Sequence, residues 1–199
     1  GFSMASLGIG WPAAASRASR LYLRIDFRDT ALIGSVFTIA GCLLLALFVH
    51  EDSGLWRVAV AGLVAGVGMG LTSTAVVVAV QSVVPWNRRG VATGANMFTR
   101  SLGSAVGIAV LGSIANTTLA GRHRHPPAGL AAQLPKSLDS ATLAFSHGVH
   151  SSPQVVAYTR DALYAAVHRF FWALVAFAIA GLVMQLRMPR KPAPLEFPD

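Results

Sequence analysis

Four stretches of this chain, Thr30–Val49, Val58–Val84, Val91–Leu119 and Ala162–Leu186, are long, continuous and almost free of charge. A helix that crosses the hydrocarbon core of a bilayer needs about 20 predominantly apolar residues. In lipid only helices and closed barrels satisfy every backbone polar group. Unbroken apolar runs of this length point to helices, so the expected fold is all-α: a polytopic membrane helical bundle. A fifth, shorter run at Gly1–Ala18 brings the expected number of transmembrane helices to about five. Composition agrees, because 54% of the 199 residues are hydrophobic and only 12% are charged, against about 25% charged in a soluble domain. The chain opens on Gly1 with a run barely long enough to span, which predicts the C-terminal part of a longer protein. No basic segment precedes that run, as a signal peptide would require.

The formal charge of +8 is arranged for a membrane and not for nucleic acid. The cations flank apolar runs and do not interleave with aromatics on a polar surface. Short loops rich in Lys and Arg stay on the cytoplasmic side. The connector SRASRLYLRIDFRD carries Arg17, Arg20, Arg24 and Arg28 at spacings of three and four, so it reads as cytoplasmic. HEDSGL has acids and no cation and reads as exterior, with Trp56 beside it suited to the interface. PWNRRG, with Arg88 and Arg89 after the helix-stopping Pro85, is cytoplasmic again. Residues 120–161 form a long polar loop that parity places outside. The last run ends at Arg187, Arg190 and Lys191, and the proline-bearing tail follows. The expected layout is a transmembrane bundle over residues 1–186, with helices at about 1–18, 30–49, 58–84, 91–119 and 162–186. A cytoplasmic tail, 187–199, completes it, and the protein lies in the plasma (inner) membrane with its C-terminus inside.

Within the second long run, Gly62, Gly66 and Gly70 recur every four residues. Each interior glycine weakens a helix by roughly 1 kcal/mol relative to alanine, so a regular series needs a reason. Each step of four drifts only about 40° around a helix, so the three form one smooth groove, and Gly68 is expected to widen it. Helices in lipid associate through small residues that let backbones approach. Gly103 and Gly107 repeat the device in the next run, where Ser104 and Gly112 extend the small-residue surface. Static packing and sliding of a neighbouring helix are both consistent with these grooves. Cys42 lies inside a run as a small packing residue, and a lone cysteine excludes an intramolecular disulfide framework.

Ionisable groups inside a membrane are costly and often functional. All the acids, from Asp26 to Asp199, fall outside the apolar runs, so this segment offers no intramembrane carboxylate. Arg100 lies well inside the third run, near Asn96 and Thr99, and fits a cavity lining, a side chain snorkelling to the interface or one pairing with backbone carbonyls. Gln81 lies near the cytoplasmic end of the run before it. His168 and Arg169 suit interfacial anchoring. Catalytic and metal constellations are thin: His123, His125, His147 and His150 share the long loop without H-E-x-x-H spacing or a nearby acid. There is no G-x-S-x-G and no phosphate-binding loop, so the expectation is a protein that is not an enzyme and has no metal or cofactor.

Three stretches resemble one family. SRLYLRIDFR is similar to the cytoplasmic G-R-L-x-x-R-x-G-x-R loop of major facilitator superfamily transporters. Arg20, Leu21, Arg24 and Arg28 match, and Ser19 and Asp26 stand in place of its glycines. GVGMGL followed by VAVQSVVPWNRRGVATGANMFTR matches at Gly66, Gly68, Gly70, Gln81, Pro85, Arg89, Gly90, Ala92, Thr93 and Arg100. SLGSAVGIAVLG matches at Gly103, Gly107 and Gly112. The likeness covers nearly the whole chain and is closest to the fourteen-helix drug:proton antiporters of the EmrB/QacA type.

The resemblance implies a fragment of a multidrug efflux transporter. It would export small hydrophobic compounds by proton antiport, through rocking of two bundles about a midplane site. It also implies that the first bundle of the same transporter is missing before Gly1. In that picture Arg20, Arg24 and Arg28 belong to a cytoplasmic gate, and Arg100, Asn96 and Gln81 line the inward-facing cavity. The partners would be the lipid bilayer, the missing N-terminal bundle, a small-molecule substrate and protons, with no nucleic acid. The alternative is a stand-alone structural or accessory membrane subunit that packs through its glycine grooves and transports nothing itself.

Overall fold

The computed structural model describes residues 2–48, 54–122 and 153–188, with the backbone alone for residues 2–9, 19–20, 22–23, 122 and 153–156. Most of the long loop with its histidines, and the tail from residue 189, lie outside the described residues. Five long helices and one short 3-10 turn make up the described chain: α1 (Phe2–Ile25), α2 (Phe27–Phe48), α3 (Leu55–Ser82), the turn Trp86–Arg88, α4 (Arg89–Arg122) and α5 (Pro153–Leu186). Spans over Phe27–Phe48, Leu55–Ser82, Trp86–Gly121 and Ala157–Leu186 are each long and apolar enough to cross a membrane. The all-α membrane bundle is therefore borne out.

The boundaries differ most at the basic connector. α1 does not stop near Ala18 but runs on through Arg17, Arg20 and Arg24 to Ile25. Arginine is a good helix former, and cations are favoured in a helix's last turn, where the backbone carbonyls carry partial negative charge. The connector shrinks to Asp26, whose φ of 74° places it in the left-handed region that lets one residue reverse the path between two helices. Its carbonyl then accepts from both the backbone N–H and the Oγ1 of Thr30, at 3.2 and 2.9 Å. α5 likewise begins earlier than expected, with Pro153 in its first turn, where a missing N–H costs nothing.

The chain divides into two compact units, residues 1–104 with 174–199, and residues 105–173. In the first, α3 packs along both α1 and α2, and its small residues Ala61, Gly62, Ala65, Gly66, Gly68 and Gly70 are buried. A Cβ added at Gly70 would stand 2.6 Å from the Trp11 carbonyl oxygen of α1. One added at Gly68 would stand 2.5 Å from the Gly34 carbonyl oxygen of α2, and one at Gly41 would stand 2.7 Å from Ala65 Cβ. Gly68 therefore does not widen the groove of Gly66 and Gly70. Two residues turn a helix by about 200°, so it serves the opposite face and a second helix, α2. Gly62 and Gly66 are buried with the series as expected.

In the second unit, Leu119 of α4 packs with Ala162 and Leu163 of α5. On α5, His168 stacks on Tyr164 with ring centroids 5.8 Å apart, and it accepts a hydrogen bond from Trp172 Nε1 at 3.1 Å. No described atom stands within 4 Å of a Cβ built at Gly103, nor, in the second unit, at Gly107 or Gly112. The packing surface expected on α4 thus has no partner among the described residues.

Candidate functional site

The first unit contains a cavity of about 430 Å³, within the roughly 300–1,000 Å³ typical of small-molecule sites. Trp11 of α1, Ser35 and Thr38 of α2, Met69, Thr72, Ser73, Val76 and Val77 of α3, Asn96, Thr99 and Arg100 of α4, and Gln185 near the end of α5 line it. The glycine crossings set this up. Where α2 lies against α3 at backbone distance, Thr72, one turn beyond Gly68, donates from Oγ1 to the Ala31 carbonyl of α2 at 3.3 Å, and Ser73 beside it faces α4.

Arg100 and Asn96, expected in the cavity, are both there. The Arg100 guanidinium donates from Nη1 to Ser73 Oγ at 2.9 Å and lies over the Trp11 ring, 4.9 Å from its centroid. Cation–π contacts of this kind contribute about 0.5–2 kcal/mol, the more so when water is excluded. Gln81 is placed elsewhere. Its Nε2 donates to Thr93 Oγ1 at 3.0 Å, and Thr93 Oγ1 donates to the Arg89 carbonyl at 2.8 Å. This chain ties the end of α3 to the start of α4 around the turn at Trp86–Arg88, where Arg89 also covers the Trp86 ring at 4.8 Å.

Several lining residues had no distinguishing signal in the sequence. Trp11 sits within the first apolar run, and Ser35, Thr38, Thr72 and Ser73 read as ordinary small residues of a span. Their hydroxyls illustrate two uses. Thr38 Oγ1 donates back to the Gly34 carbonyl four residues earlier, at 3.0 Å, which satisfies it locally. Ser35 Oγ donates instead to Gln185 Oε1 at 2.6 Å, which ties α2 to α5 at the cavity rim and leaves the amide nitrogen of Gln185 as a donor.

Of the expected gate residues, Arg24 is exposed at the end of α1, and the Arg20 side chain lies outside the described residues. Arg28 makes a long-range contact, its Nη2 donating to the Leu186 carbonyl at 2.9 Å. Leu186 is the last residue of α5, so a cation caps the carbonyl end of that helix, where its charge is favoured.

A profile described as Major Facilitator Superfamily matches residues 1–108. A tetracycline resistance determinant of Streptomyces rimosus is 32% identical over 96 residues, covering 48% of this chain and 27% of that protein. Multidrug resistance protein Stp of Mycobacterium tuberculosis (strain ATCC 25618 / H37Rv) is 34% identical over 91 residues, covering 46% of this chain and 17% of that protein. The chain thus spans about a quarter or less of the length of these relatives. No solved structure matches. With the profile covering more than half of its residues, and four helices among the described residues long and apolar enough to span, the chain belongs to the major facilitator superfamily and is a multi-pass membrane protein.

Proposed function

We propose that this chain contributes the cytoplasmic-facing part of a drug-export path. A small hydrophobic compound would bind against α1, α3 and α4 and leave by alternating access, with protons moving the other way. The observation that carries the reading is the cavity of about 430 Å³ with its mostly apolar wall and Arg100 among its lining residues. Relatives named for tetracycline and multidrug resistance support export of such compounds. In this reading the first bundle of the same transporter packs on the uncovered face of α4, around Gly103 and Gly107. That bundle also supplies proton-carrying acids, since within the spans this chain has only Asp29 and Asp161, towards the starts of α2 and α5, among the described residues. The membrane is the plasma membrane, with Arg28 and the C-terminus on the cytoplasmic side.

The test is a flux assay on the native-length protein in liposomes, with an imposed pH gradient and a fluorescent hydrophobic dye. Dye movement against its own gradient, with proton movement in the opposite direction, is the expected result. Dye movement that persists unchanged when an ionophore collapses the pH gradient would overturn proton antiport. No movement of any dye in well-incorporated protein would overturn export and favour the accessory-subunit alternative.

A further inference from the structure

The cavity's chemistry points to one class of ligand. Among the described residues that line it, Arg100 is the one charged side chain. A guanidinium presents five N–H donors in a planar fork, and here one atom, Nη1, is engaged by Ser73 Oγ. The Arg100 Cζ lies over the Trp11 ring, 4.9 Å from its centroid. The guanidinium has further N–H donors beyond the one on Ser73, and arginine takes a carboxylate with two parallel bonds. Asn96 adds a neutral amide beside it, and Met69 and Val76 supply apolar wall. The Arg100 side chain is exposed, and a ligand that brings the opposite charge is favoured by attraction and by the charge-assisted hydrogen bonds it makes.

We infer that this site selects flat, conjugated organic acids in their anionic form, with the oxyanion on Arg100 and the ring system against Trp11 and the apolar wall, in preference to aromatic cations. This inference rests on the export reading above and names its substrate class. Trp11 and Arg100 act together: the ring orients the guanidinium, and the guanidinium meets the anion.

Three probes sharing one ring test it: 2-naphthoate, neutral 2-naphthamide and the cationic 2-naphthyltrimethylammonium. Binding is measured on the native-length protein in detergent, and dye export is measured on the same preparation in liposomes. The naphthoate is expected to bind at least about ten-fold more tightly than the ammonium. Loss of one charge-assisted pair in Arg100→Gln is expected to weaken naphthoate about ten- to hundred-fold and to shift naphthamide less than about three-fold. Arg100→Lys, which keeps the charge but loses the fork and the stack, falls between. Equal or tighter binding of the ammonium overturns the inference. An equal loss of naphthamide in Arg100→Gln overturns it too, because Arg100 would then be holding the cavity's shape or pairing with an acid elsewhere. If dye export is intact but naphthoate does not bind, the anion preference falls and the transporter reading stands; if neither is seen, both fall.

Discussion

Replacing Gly68 with alanine tests the helix crossing on which the cavity depends. In a free helix the change is favourable by roughly 1 kcal/mol, because glycine is the poorer helix former. At Gly68 the new methyl would meet the Gly34 carbonyl oxygen at 2.5 Å, and it would also crowd the Thr38 backbone nitrogen and hydroxyl. Two of these three atoms are backbone, so the strain is relieved only by parting α2 from α3. Overpacking of this kind costs typically about 1–3 kcal/mol, and the rigidity of the obstruction puts Gly68 at the upper end. After the helix gain, the net loss is about 2 kcal/mol, a factor of about 30 in the folded-to-unfolded ratio. The internal control is Gly94→Ala on α4, where no described atom stands within 4 Å of the added Cβ and the helix gain of up to about 1 kcal/mol stands alone. Unfolding of the native-length protein in mixed micelles, followed by circular dichroism, should therefore separate the two variants by about 3 kcal/mol. A Gly68→Ala protein as stable as the parent would refute the backbone-distance crossing of α2 and α3, and with it the placement of Ser35 and Thr72 on one cavity.

Two further outcomes follow from the ends of the helices. Asp26→Gly should stabilise the protein by about 1 kcal/mol, since glycine takes a φ of 74° without the penalty a side chain incurs; a loss of stability in the same unfolding assay would mean that the Asp26 carboxylate contributes more than the turn costs. Arg28→Gln should remove the cation from the Leu186 carbonyl at the cost of about 1–2 kcal/mol, read as faster amide hydrogen exchange confined to the last turn of α5. Unchanged exchange there would show that the contact contributes nothing to holding that helix end.

The elements were legible because each rests on a signal the sequence carries locally. A long apolar run is the condition for a span whatever surrounds it, and four spans lie where such runs stand. The basic connector was misjudged for the same reason: charge density says which side of a membrane a segment occupies but not whether its backbone is helical, and arginine is as content in a helix as out of it. The left-handed turn at Asp26 was hidden behind a side chain. An aspartate signals such a conformation far more weakly than the glycine it replaces.

For the site, the divide falls between residues whose placement is costly and those whose placement is free. Arg100 announced itself because a cation within a span demands compensation, and its compensation, a tryptophan face and a serine hydroxyl, is what marks the cavity. Ser35, Thr72 and Ser73 gave no warning, since a hydroxyl in a helix can satisfy itself on the carbonyl four residues back and so fits a lipid face as readily as a cavity. Gln81 shows the converse. An amide near the end of a span also demands a partner, and here the partner is Thr93 across the turn, a structural tie that a list of polar residues cannot distinguish from a ligand contact. Cost identifies the residues that must be explained; the crossing of helices, set by Gly34, Gly41, Gly68 and Gly70, decides which of them share a cavity.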